Sequence, residues 1–253
     1  MMQSLKNYII LIAIVLVSTN LYAQTYKVVK GDTINRTDTR QLKQGIWKKF
    51  YETGALLSVG EFKDNKQVGT FKFYYEDGKL KGVSEFYNNG INCTFTGYHE
   101  NGKVESLGKY YNMKKDSTWR YFSEDSTLLA FEYYKKGVAD SIWRTYYPNG
   151  RLVQLITYKD GKKTGPMKEC YDNGLVKFDC TLVDGEIDGM TKQYYNNGTK
   201  QFEGAYSHGL KEGKWTSYDE QGKVIKVENY HHDDLIQAPQ PPKTPKDSVG
   251  QKK

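Results

Sequence analysis

Between residues 45 and 234 apolar and polar positions alternate in short runs, and the alternation returns every 24 residues. Each copy is numbered here from a small residue at position zero: Gly45, Gly69, Cys93, Ser117, Ser141, Gly165, Gly189 and Gly213. Position two holds Trp47, Phe71, Phe95, Trp119, Trp143, Met167, Thr191 and Trp215. Position seventeen holds Phe62, Phe86, Tyr110, Tyr134, Tyr158, Leu182, Tyr206 and Tyr230. Position nine is glycine in seven copies and Ser126 in the fourth; the residue before it is Asn or Asp in six of the eight copies, as in Asn149-Gly150 and Asp125-Ser126. A period of two within runs bounded by Asn-Gly predicts strand, tight turn, strand, with a type I′ turn at the Asn-Gly step and a looser turn near Asn65, Gly137, Gly161, Gly185 and Gly209.

Eight such hairpins in phase predict an all-β chain: a single elongated, twisted antiparallel β-meander of about sixteen strands, about 75 Å long at ~4.8 Å per strand. Val28 and Val29 are placed in a capping strand ahead of the first copy. A two-residue turn sets the small position-zero residue opposite the position-seventeen aromatic, so that rings cover small residues on both sides. The same register puts position two, position seventeen and the Tyr51, Tyr75, Tyr147, Tyr171 and Tyr195 column on one packed face. The opposite face is expected to be polar. It carries a basic row that includes Lys72, Arg120, Arg144 and Lys168, with Tyr74, Tyr98, Tyr146 and Tyr194 beside it; these eight side chains are the candidate binding face.

The ends differ from the repeats. Lys6 followed by the apolar run Tyr8 to Val17 and then Leu21-Tyr22-Ala23 reads as a secretory signal (1–23) cleaved before Gln24, since ten apolar residues fall short of the ~20 that span a bilayer. Residues 24–44 form a capping segment, 45–234 the repeats, and 235–253, with four of the six prolines, a disordered tail. Export to the periplasm or the extracellular space follows from that reading. The net charge of +7 changes little: Lys6 and the tail's lysines supply most of it and leave +3 over residues 24–234, which is no footprint for nucleic acid. Mean hydropathy of −0.76 and 22 tyrosines suit a half-wet sheet surface better than a deep core.

The motifs Phe73-Tyr74-Tyr75-Glu76-Asp77-Gly78-Lys79-Leu80, Tyr194-Tyr195-Asn196-Asn197-Gly198 and Gly213-Lys214-Trp215-Thr216-Ser217-Tyr218 resemble MORN repeats, in the bacterial variant found in proteins labelled YwqK-type antitoxins. The resemblance covers residues 45–234, and Asn35-Arg36-Thr37-Asp38 is similar to the entry segment of exported members. It implies an elongated hairpin array used for binding or scaffolding. The chain departs from the pattern at Asp125-Ser126, at Thr191, and at Cys170 with Leu182.

Catalytic sets are not expected. The chain has no Gly-x-Ser-x-Gly elbow and no Cys-x-x-Cys pair, and Gly209-Leu210-Lys211-Glu212-Gly213-Lys214-Trp215 lacks the spacing and the hydroxyl of a phosphate loop. His231-His232 are adjacent on an expected strand and so would point to opposite faces, which argues against a shared metal ion. His99 and His208 stand alone. Three cysteines make no disulfide framework, although Cys170 and Cys180 share one copy and a bridge between them is left open. The expected function is therefore an exported, non-enzymatic protein-interaction or scaffolding module without cofactors, metal or nucleic-acid partner. The alternatives are binding of a glycan or envelope polymer through the aromatic and basic rows, or a peripheral membrane role, which the low charge of the repeats disfavours.

Overall fold

The computed structural model of the chain describes residues 23–29 and 31–236. The expected leader up to Tyr22 and the tail from Gln237 onward lie outside those residues. The fold class is the one the periodicity predicts: all-β, without helix among the described residues, in one open antiparallel sheet of hairpin-linked strands. The described residues form 21 strands rather than sixteen. Two form a leading hairpin, Thr25–Val29 with Asp32–Thr37, which pairs onto the first copy as a cap. A short strand, Asp234–Leu235, folds back on the last copy, so the ordered array runs into the segment expected to be tail. Interruptions at Asp140 and Asp188 split two further strands.

The register holds in all eight copies: Gly45 pairs with Phe62, Gly69 with Phe86, Cys93 with Tyr110, and so on to Gly213 with Tyr230. The turns do not follow the prediction; the two kinds have exchanged places. At the Asn-Gly step only the glycine has positive φ, for example 79° at Gly150, and the Gly150 amide bonds the Tyr147 carbonyl while the Tyr147 amide bonds Arg151. This is a three-residue loop ending on a left-handed glycine. The type I′ turns lie at the junctions between copies, where both central residues have positive φ, as at Asp160 (49°) and Gly161 (84°). The Asn side chain explains its own choice: Asn149 Oδ1 accepts the Arg151 amide, and its Nδ2 donates to the Asp172 carbonyl of the next copy. Ser126 occupies the loop's left-handed position in the fourth copy at φ 75°. Ser126→Gly is therefore expected to stabilise the chain by up to about 1 kcal/mol, read as a higher urea midpoint.

Position zero is small for a conformational reason and not to make room for a ring. Seven of its eight residues have positive φ, from 59° at Ser117 and Ser141 to 92° at Gly189, because a β-bulge in each new strand falls there. No ring covers Gly45, Gly69, Gly189 or Gly213, since nothing lies within 4 Å of where their Cβ would be. Cys93 is the exception that fits: its strand pairs with Leu80–Tyr87 without a register shift, and the two extra residues sit in the junction loop instead, which spans residues 88–91 between Tyr87 and Asn92 and includes Gly90 at positive φ. The ring-covered glycines are at position fifteen, where Gly60, Gly108 and Gly204 lie beneath Phe71, Trp119 and Trp215 of the following copies.

The core is thus a ribbon of side chains along one face. Rings at positions two and seventeen alternate edge to face across successive strands: Trp47–Phe62 at 5.8 Å, Phe62–Phe71 at 5.3 Å and Phe71–Phe86 at 5.1 Å. Three of the four position-two tryptophans donate their indole N–H to a carbonyl of the preceding copy: Trp119 to Lys109, Trp143 to Tyr133 and Trp215 to Ala205; the Trp47 indole N–H is buried without a partner among the described residues. Lys115 and Lys211 lay their ammonium groups over Trp119 and Trp215 at 4.8 and 4.7 Å.

The thiols are all free and buried. Cys180, at position fifteen, belongs to the ring-bearing face, and Cys170, at position five, to the other, so the register leaves them no way to bridge. Burial pushes the Cys180 thiol up to about 11, with Asp179 and Glu169 adding to the shift.

Candidate functional site

The face opposite the rings is built from positions three and fourteen, which pair across every interface. The row runs Lys48, Val59, Lys72, Val83, Thr96, Leu107, Arg120, Phe131, Arg144, Leu155 and Lys168, each the direct cross-strand partner of the next. Cross-strand partners share a face, so cations, with Thr96 in the third copy, alternate with apolar side chains, Phe131 among them, in one line across six copies. Beyond Lys168 the aliphatic places turn acidic: Lys168 faces Asp179, Asp179 faces Lys192, and Lys192 faces Glu203. The candidate cations therefore differ among themselves. Lys72 is exposed between Val59 and Val83, and Arg120 is exposed between Leu107 and Phe131; Arg144 lies over the Phe131 ring at 5.8 Å; Lys168 has a carboxylate opposite. None of these four has an ion-pair partner among the described residues, whereas Lys48, outside the candidate set, pairs with Asp32 at 3.6 Å.

A second row lies two residues away on the same strands and the same face. It pairs position five with position eleven: Tyr74 with Leu80, Tyr98 with Val104, Tyr146 with Leu152 and Tyr194 with Lys200. The four candidate tyrosines are thus beside the basic row, as expected, because the bulge that could have turned them over falls on the returning strand. They are half-buried rather than fully displayed. The expectation of a polar face needs correction. Its aliphatic residues, Val59, Val83, Leu107 and Leu155 in one row and Leu80, Val104 and Leu152 in the other, make it amphipathic; the sequence signal was the aliphatic column at position fourteen, which the reading of cations alone passed over.

The Tyr51 column also has a role that face assignment did not supply. Each hydroxyl donates to the position-five carbonyl of the next copy: Tyr51 to Tyr74, Tyr75 to Tyr98, Tyr147 to Cys170, Tyr171 to Tyr194 and Tyr195 to Tyr218, all within 2.7–3.0 Å. His99 makes the same bond to Phe122 with Nε2. The fourth copy has Ser123 there, which bonds within its own turn instead. Tyr171→Phe leaves the Tyr194 carbonyl without that donor and is expected to cost about 1 kcal/mol, measured by urea denaturation.

His231 and His232 do not sit as the strand period implied. The junction turn places His232 at φ 51° and brings the two rings to 4.1 Å between centroids. Glu212 reaches both residues, its Oε1 lying 3.2 Å from His231 Nδ1 and its Oε2 accepting the His232 amide at 3.1 Å.

Five segments, residues 43–64, 67–89, 94–112, 139–160 and 211–232, match the family model described as MORN repeat variant. They coincide with the first, second, third, fifth and eighth copies. The copies left unmatched are those with the serine turn at Ser126, with Cys170 and Leu182, and with Thr191 in place of an aromatic. No curated protein matches the chain significantly. Among solved structures, similarity is found to "Crystal Structure of TcdB2-TccC3-Cdc42", with 11% identity and a TM-score of 0.23 over 81% of this chain and 13% of that one. "Crystal Structure of TcdB2-TccC3" gives 10% identity and a TM-score of 0.23 over 81% of this chain and 14% of that one. The chain spans only that small fraction of those much longer chains, and overlap at this level does not establish a common fold.

Proposed function

We propose that the chain is an exported, non-enzymatic binding module that holds a protein partner against its amphipathic face. The observation that carries this reading is one line from Lys72 to Lys168 in which four cations without ion-pair partners among the described residues, and Thr96, alternate with the apolar side chains Val83, Leu107, Phe131 and Leu155. Such a line offers desolvated contact area and charge selection together, which is what a protein interface with an acidic rim uses. The repeat geometry favours an extended contact over an enclosed site, because each copy lengthens the same row by one pair of residues along an open sheet. An elongated acidic glycan would use the cations but gain little from Val83, Leu107 and Leu155, which makes protein the better fit. The leader read from residues 1–23 supplies the compartment: the partner belongs to the envelope or the medium.

The experiment is capture from the native envelope fraction by the immobilised chain, with Lys72, Arg120, Arg144 and Lys168 changed to Glu as the control. One or a few proteins retained by the wild type and lost from the control support the reading. Identical eluates, or retention of acidic polysaccharide alone, overturn it. Amino-terminal sequencing of the mature protein tests export separately, with Gln24 expected first.

A further inference from the structure

We propose that Glu212, His231 and His232 form a binding site for a divalent transition-metal ion at the last repeat junction. One donor atom from each of the three lies within 4.8 Å of the others, which is close enough for a small side-chain rotation to bring them round one ion. Two imidazoles and a carboxylate suit zinc and its first-row neighbours, and three protein ligands leave a position for water or for a partner's side chain.

The turn makes the set. On a regular strand the two histidines would diverge, but His232 occupies the first left-handed place of a type I′ turn, and its ring returns to the side of His231. The carboxylate is held by a contact that belongs to the repeat itself. At the equivalent junctions Asp116 Oδ1 accepts the Lys136 amide and Asp188 Oδ2 accepts the His208 amide, as Glu212 Oε2 accepts that of His232. Glu is one carbon longer than those aspartates, and its second oxygen extends past the turn to His231 Nδ1. One oxygen therefore anchors the group and the other faces the imidazole, the arrangement by which an outer contact orients a metal ligand. The corresponding residues of the other junctions, such as Lys135-Lys136 and Lys159-Asp160, place no histidine pair there, and Ser207-His208 places one imidazole only. The set is thus confined to the final copy, beside the sheet's terminal strand.

Isothermal titration of the full chain with ZnCl2 tests the assignment. The wild type is expected to bind one zinc ion per chain; His231→Gln with His232→Gln is expected to weaken binding at least about tenfold, and Glu212→Gln to weaken it while keeping the turn amide bond. His208→Gln is expected to bind as the wild type does. His208 and His232 lie in exposed junction turns, His231 is exposed at the end of its strand and Glu212 is half-exposed near the start of its own, and an unchanged melting curve without zinc confirms the fold of each variant. Should the double variant fail to fold, Glu212→Gln alone decides. Absence of binding by the wild type, or equal binding by the histidine or Glu212 variants, overturns the assignment.

Discussion

Gly108→Ala is expected to destabilise the chain by about 2–3 kcal/mol although alanine suits a strand better than glycine. A Cβ at residue 108 would stand 2.2 Å from the Trp119 ring, and that ring is 2% exposed, packed between Tyr110 and the strand beneath. It has no vacant rotamer to take, because its indole N–H is bonded to the Lys109 carbonyl at 3.1 Å and Lys115 lies over its other face. The strain is therefore taken up by the backbone of two copies. Gly82→Ala supplies the internal comparison. There the added carbon meets the far edge of Phe95 at 3.0 Å, an edge that can tilt, and a loss of about 1 kcal/mol is expected. Urea midpoints of the two variants should fall in that order; equal midpoints would mean that the rings do not lie on glycine.

Trp119→Ala removes the ring instead of crowding it, and is expected to cost about 3–5 kcal/mol. The ring touches Tyr110 at 4.9 Å, Phe95 at 6.1 Å and Tyr121 at 6.2 Å between centroids, so its loss opens a void shared by two copies. Trp119→Phe keeps most of the packing but surrenders the bond to Lys109, and should cost about 1–2 kcal/mol. The double variant Gly108→Ala with Trp119→Ala should lose less than the sum of the two, because the clash vanishes with the ring. Additive losses in denaturation would contradict the contact between them.

Much of this architecture was legible in the chain because its repeats carry no insertion: columns at positions zero, two and seventeen fixed the strand pairing of every copy, from Gly45 with Phe62 to Gly213 with Tyr230. What the columns left undecided was why each residue stands where it does. Asn149-Gly150 has the composition of a type I′ turn but serves a three-residue loop, since one left-handed residue suffices there and the Asn side chain is needed to reach the next copy. Ser117 and Gly213 were read as space for a ring, whereas their positive φ marks a bulge, a feature of backbone geometry that no single copy announces. At the candidate face the cations are visible one by one; that Lys72 lies between Val59 and Val83, or Arg144 beside Phe131, depends on pairing between copies. The histidine pair was misplaced for the same reason, as alternation applies to strands and His232 lies in a turn.

The sheet is one continuous open ribbon, in which each copy stacks on the last and the row from Lys72 to Lys168 is a surface feature. Spin labels at residues 72 and 168, in a background with Cys93, Cys170 and Cys180 replaced by Ser or Val, measure that directly by pulsed dipolar spectroscopy. Four copies of two strands at ~4.8 Å separate the sites by about 38 Å, and moving one label to residue 120 should bring the distance to about half. A single narrow distribution at each distance, halving as expected, is the result an open sheet gives. Distances under about 25 Å for the outer pair, or no change on moving the label, would mean that the copies fold back on one another and that the row is not a surface.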